Sequence, residues 1–312
     1  MQKVSLGIDM GGTRIKMGLV NVNGEILKTH SLPADSKTSL KKRLEDLKIE
    51  INTLLENDFS LGGIGVAFPG IVNHENKKIL SEYVKYPDAH LVDLEGWAEH
   101  NWGVPLILEN DARAALVGEW QYGAGKGTAD LVMVTLGTGV GSAVLLDEKI
   151  LRGRNFLAGN LGGHMSVNMY GDICNCGNIG CLESESSTWA LEKVKTSPNY
   201  ESSTLKNHDR LNFEKIFLEA ENGDKLAGSI KENSLRAWGV GIINLIHAFD
   251  PERVIVGGGI MKSKNEILPY LRKMVEKHSW VPGGNIDIVA AEQTQYAGIL
   301  GMCFLLNKGN KF

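Results

Sequence analysis

The sequence predicts an α/β protein of two domains, and three observations support this prediction. Apolar strands alternate along the chain with segments of helical periodicity. One unit, a strand followed by a turn of glycine and threonine and a returning strand, starts near residue 4 and again near residue 129. Such a repeat indicates a duplicated domain. The length of 312 residues is sufficient for two hydrophobic cores.

The opening of the chain predicts three antiparallel strands. Residues 4–8 form a short apolar strand, which leads through Asp9-Met-Gly-Gly-Thr13 into a second apolar strand at residues 15–20. Asn23-Gly24 is a hairpin signal, because both residues accept positive φ. Residues 25–31 then return as a third strand.

The remainder of the first half continues the alternation. Leucine and isoleucine recur at helical spacing over residues 39–57, with charged residues between them. Residues 63–68 and 104–109 have the composition of buried strands. Asn110-Asp111 then opens an alanine-rich helix over residues 112–120.

The second half begins with the repeated unit. A strand at residues 129–136 enters Gly137-Thr-Gly-Val-Gly141 and returns at residues 142–146. Residues 189–249 are predicted to be mostly helical, and residues 253–256 form a further buried strand.

A final helix over residues 297–306 is expected to return to the first domain. We therefore predict one domain of residues 1–115 plus about 297–312, and a second domain of residues 116–296.

Charge and hydropathy argue against several functions. The formal net charge of −4 argues against nucleic acid as the main partner. No apolar run approaches the ~20 residues that span a bilayer, and no signal-peptide pattern precedes the first strand. We expect a cytoplasmic protein whose partners include neither nucleic acid nor membrane.

Three of the four cysteines lie in one short segment. Cys174, Cys176 and Cys181 follow His164, and three thiolates with one imidazole form a complete tetrahedral ligand set for zinc. The spacing therefore predicts a zinc loop over residues 164–181. A disulfide is the alternative, which a reducing compartment disfavours. Cys303 lies in an apolar run and is expected to be a core residue.

Two glycine-rich turns, at residues 9–13 and 136–141, have the composition of phosphate-binding loops. Glycine lets the backbone approach a phosphate, and threonine adds a hydroxyl donor. Neither turn has the Gly-Lys-Ser/Thr of a P-loop, and any single turn of this kind is more often a plain hairpin. A third run, Gly257-Gly-Gly259, follows a strand and suits an adenine ring lying against backbone. Three such turns in this order indicate a nucleotide.

Together these motifs resemble the ROK family (repressors, open reading frames and sugar kinases) of the sugar kinase, Hsp70 and actin superfamily. The resemblance covers nearly the whole chain. The motifs that support the resemblance are Asp9-Met-Gly-Gly-Thr13, Gly65-Val-Ala-Phe-Pro-Gly70, Glu109-Asn-Asp-Ala112, Leu136-Gly-Thr-Gly139, Gly163-His164, the cysteine cluster with Cys181-Leu-Glu183, and Gly257-Gly-Gly259. It implies a two-lobed, actin-like (ribonuclease H-like) ATPase fold, each lobe a mixed sheet flanked by helices, with ATP and a sugar meeting in the cleft.

By this resemblance, Asp111 matches the catalytic base of the family and Asn110 the neighbouring sugar contact. A carboxylate between a strand end and a helix start could accept a sugar hydroxyl's proton as that oxygen attacks the γ-phosphoryl group. The residues alone leave open that Asp111 simply caps the following helix. The resemblance favours the catalytic base.

The resemblance also implies the nucleotide contacts. Asp9 is similar to the family residue that helps to hold Mg²⁺ through water. The implied ATP and phosphate contacts are Asp9, Gly11, Gly12, Thr13, Gly137, Thr138, Gly139, Gly257, Gly258 and Gly259. The expected cofactors are therefore ATP, Mg²⁺ and a structural Zn²⁺.

The implied sugar contacts include two residues at the ends of the zinc loop. His164 resembles a ligand that binds zinc with one ring nitrogen and a sugar hydroxyl with the other, and Glu183 resembles a second contact. Sugar kinases of the family usually carry Glu three residues before this His, where this chain has Leu161. We expect the amide of Asn160 to take its place.

The sequence therefore predicts a sugar kinase, a phosphotransferase with an alcohol acceptor, acting on a hexose or hexose derivative. The resemblance suggests a homodimer or a larger homo-oligomer. One alternative is a sugar-responsive transcription regulator, which needs a helix-turn-helix before the first strand; that strand begins at Val4. The other alternative is a catalytically impaired sugar-binding protein, suggested by Leu161.

Overall fold

A computed structural model describes residues 1–56, 58–80, 85–282 and 286–309. The chain divides into two compact units. The first unit contains Met1–Gly127, Glu148–Ala158 and Glu292–Phe312, and the second contains Thr128–Asp147 and Gly159–Ala291. Within the described residues, no helix is long and apolar enough to cross a membrane.

The first unit is built on a five-stranded sheet of β1 (Gln2–Met10), β2 (Arg14–Val20), β3 (Ile26–Pro33), β4 (Phe59–Phe68) and β7 (Leu106–Asn110), and a small hairpin is formed by β5 (Val72–Asn73) and β6 (Lys78–Ile79). The strand order of the sheet is β3–β2–β1–β4–β7. Its helices are α1 (Leu40–Leu55), α2 (Leu94–Trp102), α3 (Asp111–Tyr122) and α8 (Ala297–Lys308).

The second unit contains strands β8 (Leu131–Leu136), β9 (Val140–Leu146), β11 (Arg253–Gly257) and β12 (Asp287–Ala290), whereas β10 (Lys149–Ile150) falls within Glu148–Ala158 of the first unit. The strand order of the second sheet is β10–β9–β8–β11–β12. The helices of the second unit are α4 (Leu182–Ser186), α5 (Phe213–Glu221), α6 (Lys225–Phe249) and α7 (Lys264–His278).

The two sheets share one internal arrangement. In each, the central strand pairs antiparallel with the strand that follows it, β1 with β2 and β8 with β9. The other edge of each central strand pairs in parallel, with β4 or β11. The repeated strand–turn–strand pattern of the sequence therefore corresponds to the same hairpin, followed by parallel strands, in both sheets.

The C-terminal helix α8 packs on the first sheet at positions where the strands carry glycine. A Cβ atom placed on Gly7 of β1 would lie 2.7 Å from the carbonyl oxygen of Ile299. A Cβ atom on Gly65 of β4 would lie 2.8 Å from Cβ of Met302. Because glycine has no Cβ, the helix backbone can lie directly against the strands at these points.

Helix α8 approaches α3 just as closely. A Cβ atom on Gly118 of α3 would lie 2.0 Å from the carbonyl oxygen of Ala297, and one on Gly301 of α8 would lie 1.9 Å from that of Ala114. This contact keeps all of α3 in the first unit, so the chain leaves that unit after Gly127 rather than near the predicted residue 115. Residues 310–312 of the predicted returning segment lie outside the described residues.

Residues 189–249 are mostly helical, as predicted. Trp189–Thr196 and Thr204–Asn207 form 3-10 helices, and α5 and α6 follow them. Helices α2 and α7 and strand β12 have no counterpart in the sequence-based assignment, although α7 buries Ile267, Leu271 and Val275 at helical spacing.

We expect Gly301→Ala to destabilise the protein by about 1–3 kcal/mol, because the new methyl group meets backbone that cannot move aside. Urea denaturation measures this effect. Gly228→Ala in α6 is the matched control: its Cβ would meet no atom within 4 Å, and we expect a gain of about 0.5–1 kcal/mol. Wild-type stability of Gly301→Ala would contradict the close approach of α3 and α8.

Candidate active site

Three polar residues of the first unit lie at one edge of its sheet. Strands β1, β4 and β7 run parallel, with Asp9 opposite Ala67 and Phe68 opposite Asn110. Their carboxyl ends therefore meet at one edge, the usual location of ligand sites in open α/β sheets. Asp9, Asn110 and Asp111 are brought together there by the sheet register.

Asn110, and not Asp111, is the N-cap of α3. Its Oδ1 accepts from the backbone N–H groups of Ala112 at 3.0 Å and Arg113 at 3.2 Å. Its Nδ2 donates to Gly70 O at 3.0 Å and to Asp111 Oδ1 at 3.1 Å. Because Asn110 performs the capping that the sequence left open for Asp111, the aspartate is not needed for that role.

Asp111 is the first residue of α3 and is half-buried. Its Oδ1 accepts from Ala112 N–H at 2.9 Å, and its Oδ2 accepts no hydrogen bond from any residue that the structure describes. Desolvation, followed by repulsion from the Asp9 carboxylate, raises the pKa of Asp111 to about 6. The Ala112 N–H and the Lys85 ammonium act in the opposite direction. An aspartate with this pKa is suited to a general base near neutral pH.

Asp9 has a similar environment at the end of β1. Desolvation raises its pKa, and the positive charge of Lys16, its cross-strand partner, partly offsets the effect. Lys16 also donates through Nζ to the carbonyl oxygen of Gln295 at 3.2 Å. Two neighbouring carboxylates that resist ionisation are an arrangement that a divalent cation relieves.

The first glycine turn joins β1 to β2. Gly11 and Gly12 are half-buried and Thr13 is exposed. The carbonyl oxygen of Gly12 accepts from Ser36 Oγ at 3.3 Å, and that of Thr13 accepts from Ala34 N–H at 2.9 Å. Residues 34–36 therefore hold the turn from one side.

The second glycine turn joins β8 to β9. Gly137 N–H donates to Gly139 O at 3.0 Å, which closes the turn on itself. The backbone N–H groups of Thr188 and Trp189 donate to Gly137 O and Thr138 O, both at 3.1 Å. Thr138 remains exposed and available to a ligand.

Glu183 is bonded to this second turn. Its Oε2 accepts from Val140 N–H at 2.8 Å, and its Oε1 accepts from Trp189 Nε1 at 3.1 Å. Each carboxylate oxygen has a further lone pair. The structure therefore places Glu183 as a brace of the turn that can still accept from a ligand hydroxyl.

The third glycine run lies after β11, which pairs in parallel with β8. Gly258 has φ +94, and a Cβ atom there would lie 2.2 Å from Leu136 O. Glycine is therefore required at Gly258 by packing alone. Gly259 is exposed and a Cβ atom there would meet nothing within 4 Å, which leaves space for a flat ligand.

The predicted metal ligands converge. One ligand atom from each of His164, Cys174, Cys176 and Cys181 lies within 4.8 Å of all the others. Nδ1 of His164 lies 3.6 Å from Sγ of Cys174, and Sγ of Cys176 lies 3.7 Å from Sγ of Cys181. Zn–S bonds of about 2.3 Å place two sulfurs of a tetrahedron roughly 3.8 Å apart, so the cluster fits zinc.

The chemistry of the thiols agrees with this fit, and all four cysteines are free of disulfides. Burial raises the pKa of Cys174, and it raises that of Cys181 to about 12. Neutral thiols at these positions become thiolates only beside a strong positive charge, which a bound zinc ion supplies.

Asn160 has an unusual environment. The side chain is buried, and its Oδ1 has no hydrogen-bond donor among the residues that the structure describes. A buried acceptor without a partner costs about 1–3 kcal/mol, so such a group commonly marks a ligand contact. Leu161, which stands at the usual glutamate position, cannot supply such a contact.

Sequence reasoning missed a buried ionic cluster beside Asn110. Glu109 accepts from Arg152 Nε at 2.8 Å and from Asn110 N–H at 2.9 Å, and its Oε1 lies 3.6 Å from Arg113 Nη1. Nη2 of Arg113 donates to the carbonyl oxygens of Phe156 and Ala158 at 3.1 and 2.7 Å. The charges of Glu109 and Arg113 were visible in the sequence, but nothing local indicated that both are fully buried.

Comparisons with known proteins show the family and the fold of this chain. The model of the ROK family matches residues 5–309. The chain is 32% identical to a glucokinase of Thermotoga maritima over 321 positions, covering 99% of each protein. It is 27% identical to a xylose repressor of Caldicellulosiruptor bescii, covering 95% of this chain and 76% of the repressor. A ROK family glucokinase of Streptomyces griseus, solved with glucose and AMPPNP, matches at 28% identity and TM-score 0.78, covering 97% of this chain and 98% of that one.

These matches confirm the predicted fold class, an actin-like ATPase fold with two mixed sheets flanked by helices. Both the family match and the structural match extend over nearly the whole chain, as the sequence motifs predicted. The chain therefore belongs to the ROK family.

Proposed function

We propose that this protein transfers the γ-phosphoryl group of ATP to a hydroxyl of a hexose or hexose derivative, with Asp111 as the general base. The observation that carries the proposal is the environment of Asp111. Its Oδ1 is oriented by Ala112 and Asn110, its Oδ2 is bonded to no described residue, and its pKa is raised to about 6.

The sugar hydroxyl oxygen forms a bond to the γ-phosphorus, and the bond from that phosphorus to the β–γ bridging oxygen breaks, which releases ADP. Asp111 accepts the hydroxyl proton and returns it to solvent after the transfer. Because such transition states require little covalent assistance, the protein acts mainly by positioning and electrostatics.

The nucleotide contacts are proposed from the glycine turns. Gly11, Gly12 and Thr13 of the first unit, and Gly137, Thr138 and Gly139 of the second, would bind phosphates, and residues 257–259 would lie against the adenine. Asp9 would hold Mg²⁺ through water, and the ion would neutralise charge on the phosphates. The raised pKa of Asp9 supports this assignment.

The sugar contacts are proposed to be Asn110 and Asp111 of the first unit and Asn160, His164 and Glu183 of the second. The buried, unpaired Oδ1 of Asn160 would accept a hydrogen bond from a sugar hydroxyl. Zinc would fix the ring of His164 through Nδ1, which would leave Nε2 for the sugar. Relatives described as glucokinases favour a hexose as the substrate.

A second candidate function is a sugar-binding protein with impaired catalysis. Leu161 in place of the family's glutamate and the similarity to a xylose repressor favour it. ADP release measured over a panel of hexoses, hexosamines and polyols separates the two functions, because a binding protein would show sugar affinity without turnover.

Replacing Asp111 with asparagine should abolish phosphorylation of every sugar. The variant keeps an Oδ1 acceptor for Ala112 but loses the proton acceptor, so we expect kcat to fall about 10²–10⁴-fold. A coupled assay for ADP measures this loss.

Glu95→Gln is the matched control, because Glu95 is an exposed acid in the first turn of α2 and its change should leave kcat unaltered. Removing the half-buried charge of Asp111 should also leave the melting temperature at pH 8 unchanged or higher, since a raised folded-state pKa costs stability as pH rises. Full activity of Asp111→Asn would show that another group is the base.

The pH dependence should report the same carboxylate. The base must be ionised, so kcat/KM should fall about tenfold per pH unit below a midpoint near the pKa of about 6. Initial rates at limiting sugar and saturating MgATP measure this profile. A midpoint near 4, the ordinary aspartate value, would contradict the proposed environment of Asp111.

Zinc should accompany the purified protein at about one ion per chain, as measured by elemental analysis. Cys176→Ala should lose the ion and raise KM for the sugar more than KM for ATP, because His164 would no longer be held. Cys303→Ala, which removes a buried thiol outside the cluster, should retain it. A fully active protein free of zinc would exclude a role for the metal in sugar binding.

A further inference from the structure

Lys85 lies directly over the first glycine turn. A Cβ atom placed on Gly12 would lie 2.5 Å from Nζ of Lys85 and 3.0 Å from its Cε. The ammonium group is therefore in contact with the backbone of Gly12. The same ammonium acts electrostatically on Asp111, where it favours the ionised carboxylate. The ammonium group of Lys85 therefore lies beside the first glycine turn and also acts on the carboxylate of Asp111.

Lys85 is followed directly by an anchored residue, Tyr86. Tyr86 is fully buried, its ring centroid lies 5.9 Å from that of Phe68, and its hydroxyl donates to Ala34 O at 3.2 Å. Its backbone N–H donates to Ser36 O at 2.6 Å. Ser36 in turn donates through Oγ to Gly12 O, so the same residue contacts both Tyr86 and the glycine turn.

The backbone at Tyr86 is held in a strained conformation. Its φ of +57 lies in the left-handed region, which a bulky residue rarely adopts unless the surrounding packing imposes it. Asp88, two residues further on, accepts from Ser39 Oγ at 2.6 Å and Leu40 N–H at 2.5 Å at the start of α1. The residues that follow Lys85 are therefore anchored by buried packing and hydrogen bonds.

We propose that the Lys85 ammonium binds the terminal phosphate of the nucleotide and stabilises it during transfer. The inference rests on the proposed kinase function and extends it to a residue outside the motifs of the sequence. During transfer, the phosphoryl group lies between the base that deprotonates the acceptor and the turn that binds the remaining phosphates. A cation facing both is at the position where negative charge accumulates on the phosphoryl oxygens.

The alternative role is structural, in which Lys85 only balances the charge of Asp111. Three measurements distinguish the two roles. They are the change in kcat compared with the change in KM, the pH profile of the reaction, and the affinity for nucleotides that differ in the terminal phosphate. The charged groups that act on Asp111 are Asp9 and Lys85, and Asp9 itself is faced by Lys16.

Lys85→Met should lower kcat about 10²-fold while the KM for sugar changes less than about threefold. The acidic limb of the pH profile should move to higher pH, because a cation that favours ionised Asp111 is removed. Lys85→Arg should restore part of kcat and return the acidic limb of the pH profile to its wild-type position. Lys42→Met, an exposed lysine of α1, is the control and should behave as wild type.

Calorimetry makes the test independent of turnover. With Mg²⁺ present, Lys85→Met should bind AMPPNP at least about tenfold more weakly than wild type and bind ADP with unchanged affinity. Equal loss of both affinities, or an unchanged kcat, would overturn the role of Lys85. A wild-type protein that binds AMPPNP but phosphorylates no sugar would instead refute the kinase function and leave the calorimetric result to decide on Lys85.

Discussion

The close packing of α8 against glycines is the constraint on which the first unit depends. Gly7 and Gly65 let this helix lie on the backbone of β1 and β4, and Gly118 and Gly301 let it lie on α3. The C-terminal helix thereby holds together the strand that carries Asp9 and the helix that begins with Asp111. Two carboxylates far apart in sequence are close because glycine removes the side chains that would separate these elements.

Electrostatics divides the polar residues of this unit into two groups with different tasks. Glu109 and Arg113 are fully buried and paired, and their hydrogen bonds hold Asn110 and the segment that ends at Ala158. Asp9 and Asp111 are half-buried, repel each other, and retain raised pKa values. The carboxylate of Glu109 is paired with buried cations and supports the site. The charges of Asp9 and Asp111 are only partly offset by Lys16 and Lys85, so these two carboxylates are suited to binding cations and protons.

The second unit uses other contacts to connect its loops. Its cysteine cluster closes the loop from His164, and Glu183 connects α4 to the turn between β8 and β9 through Val140 and Trp189. A loop of this kind has few apolar contacts of its own. The hydrogen bonds of Glu183, together with the metal ligation proposed for the cluster, would therefore supply the order that apolar packing supplies in other parts of the chain.

The sequence by itself determined the strand–turn–strand repeats, several of the helices, the grouping of the cysteines with His164, and the family, because each depends on residues that lie near one another in the chain or on fixed motifs. It did not determine that Asn110 rather than Asp111 caps α3, that Glu183 braces a turn, or that Lys85 reaches Gly12. Only the tertiary structure decided these points. Burial, strand register and the left-handed backbone of Tyr86 depend on contacts between distant segments, and those contacts leave no periodic signal in the sequence.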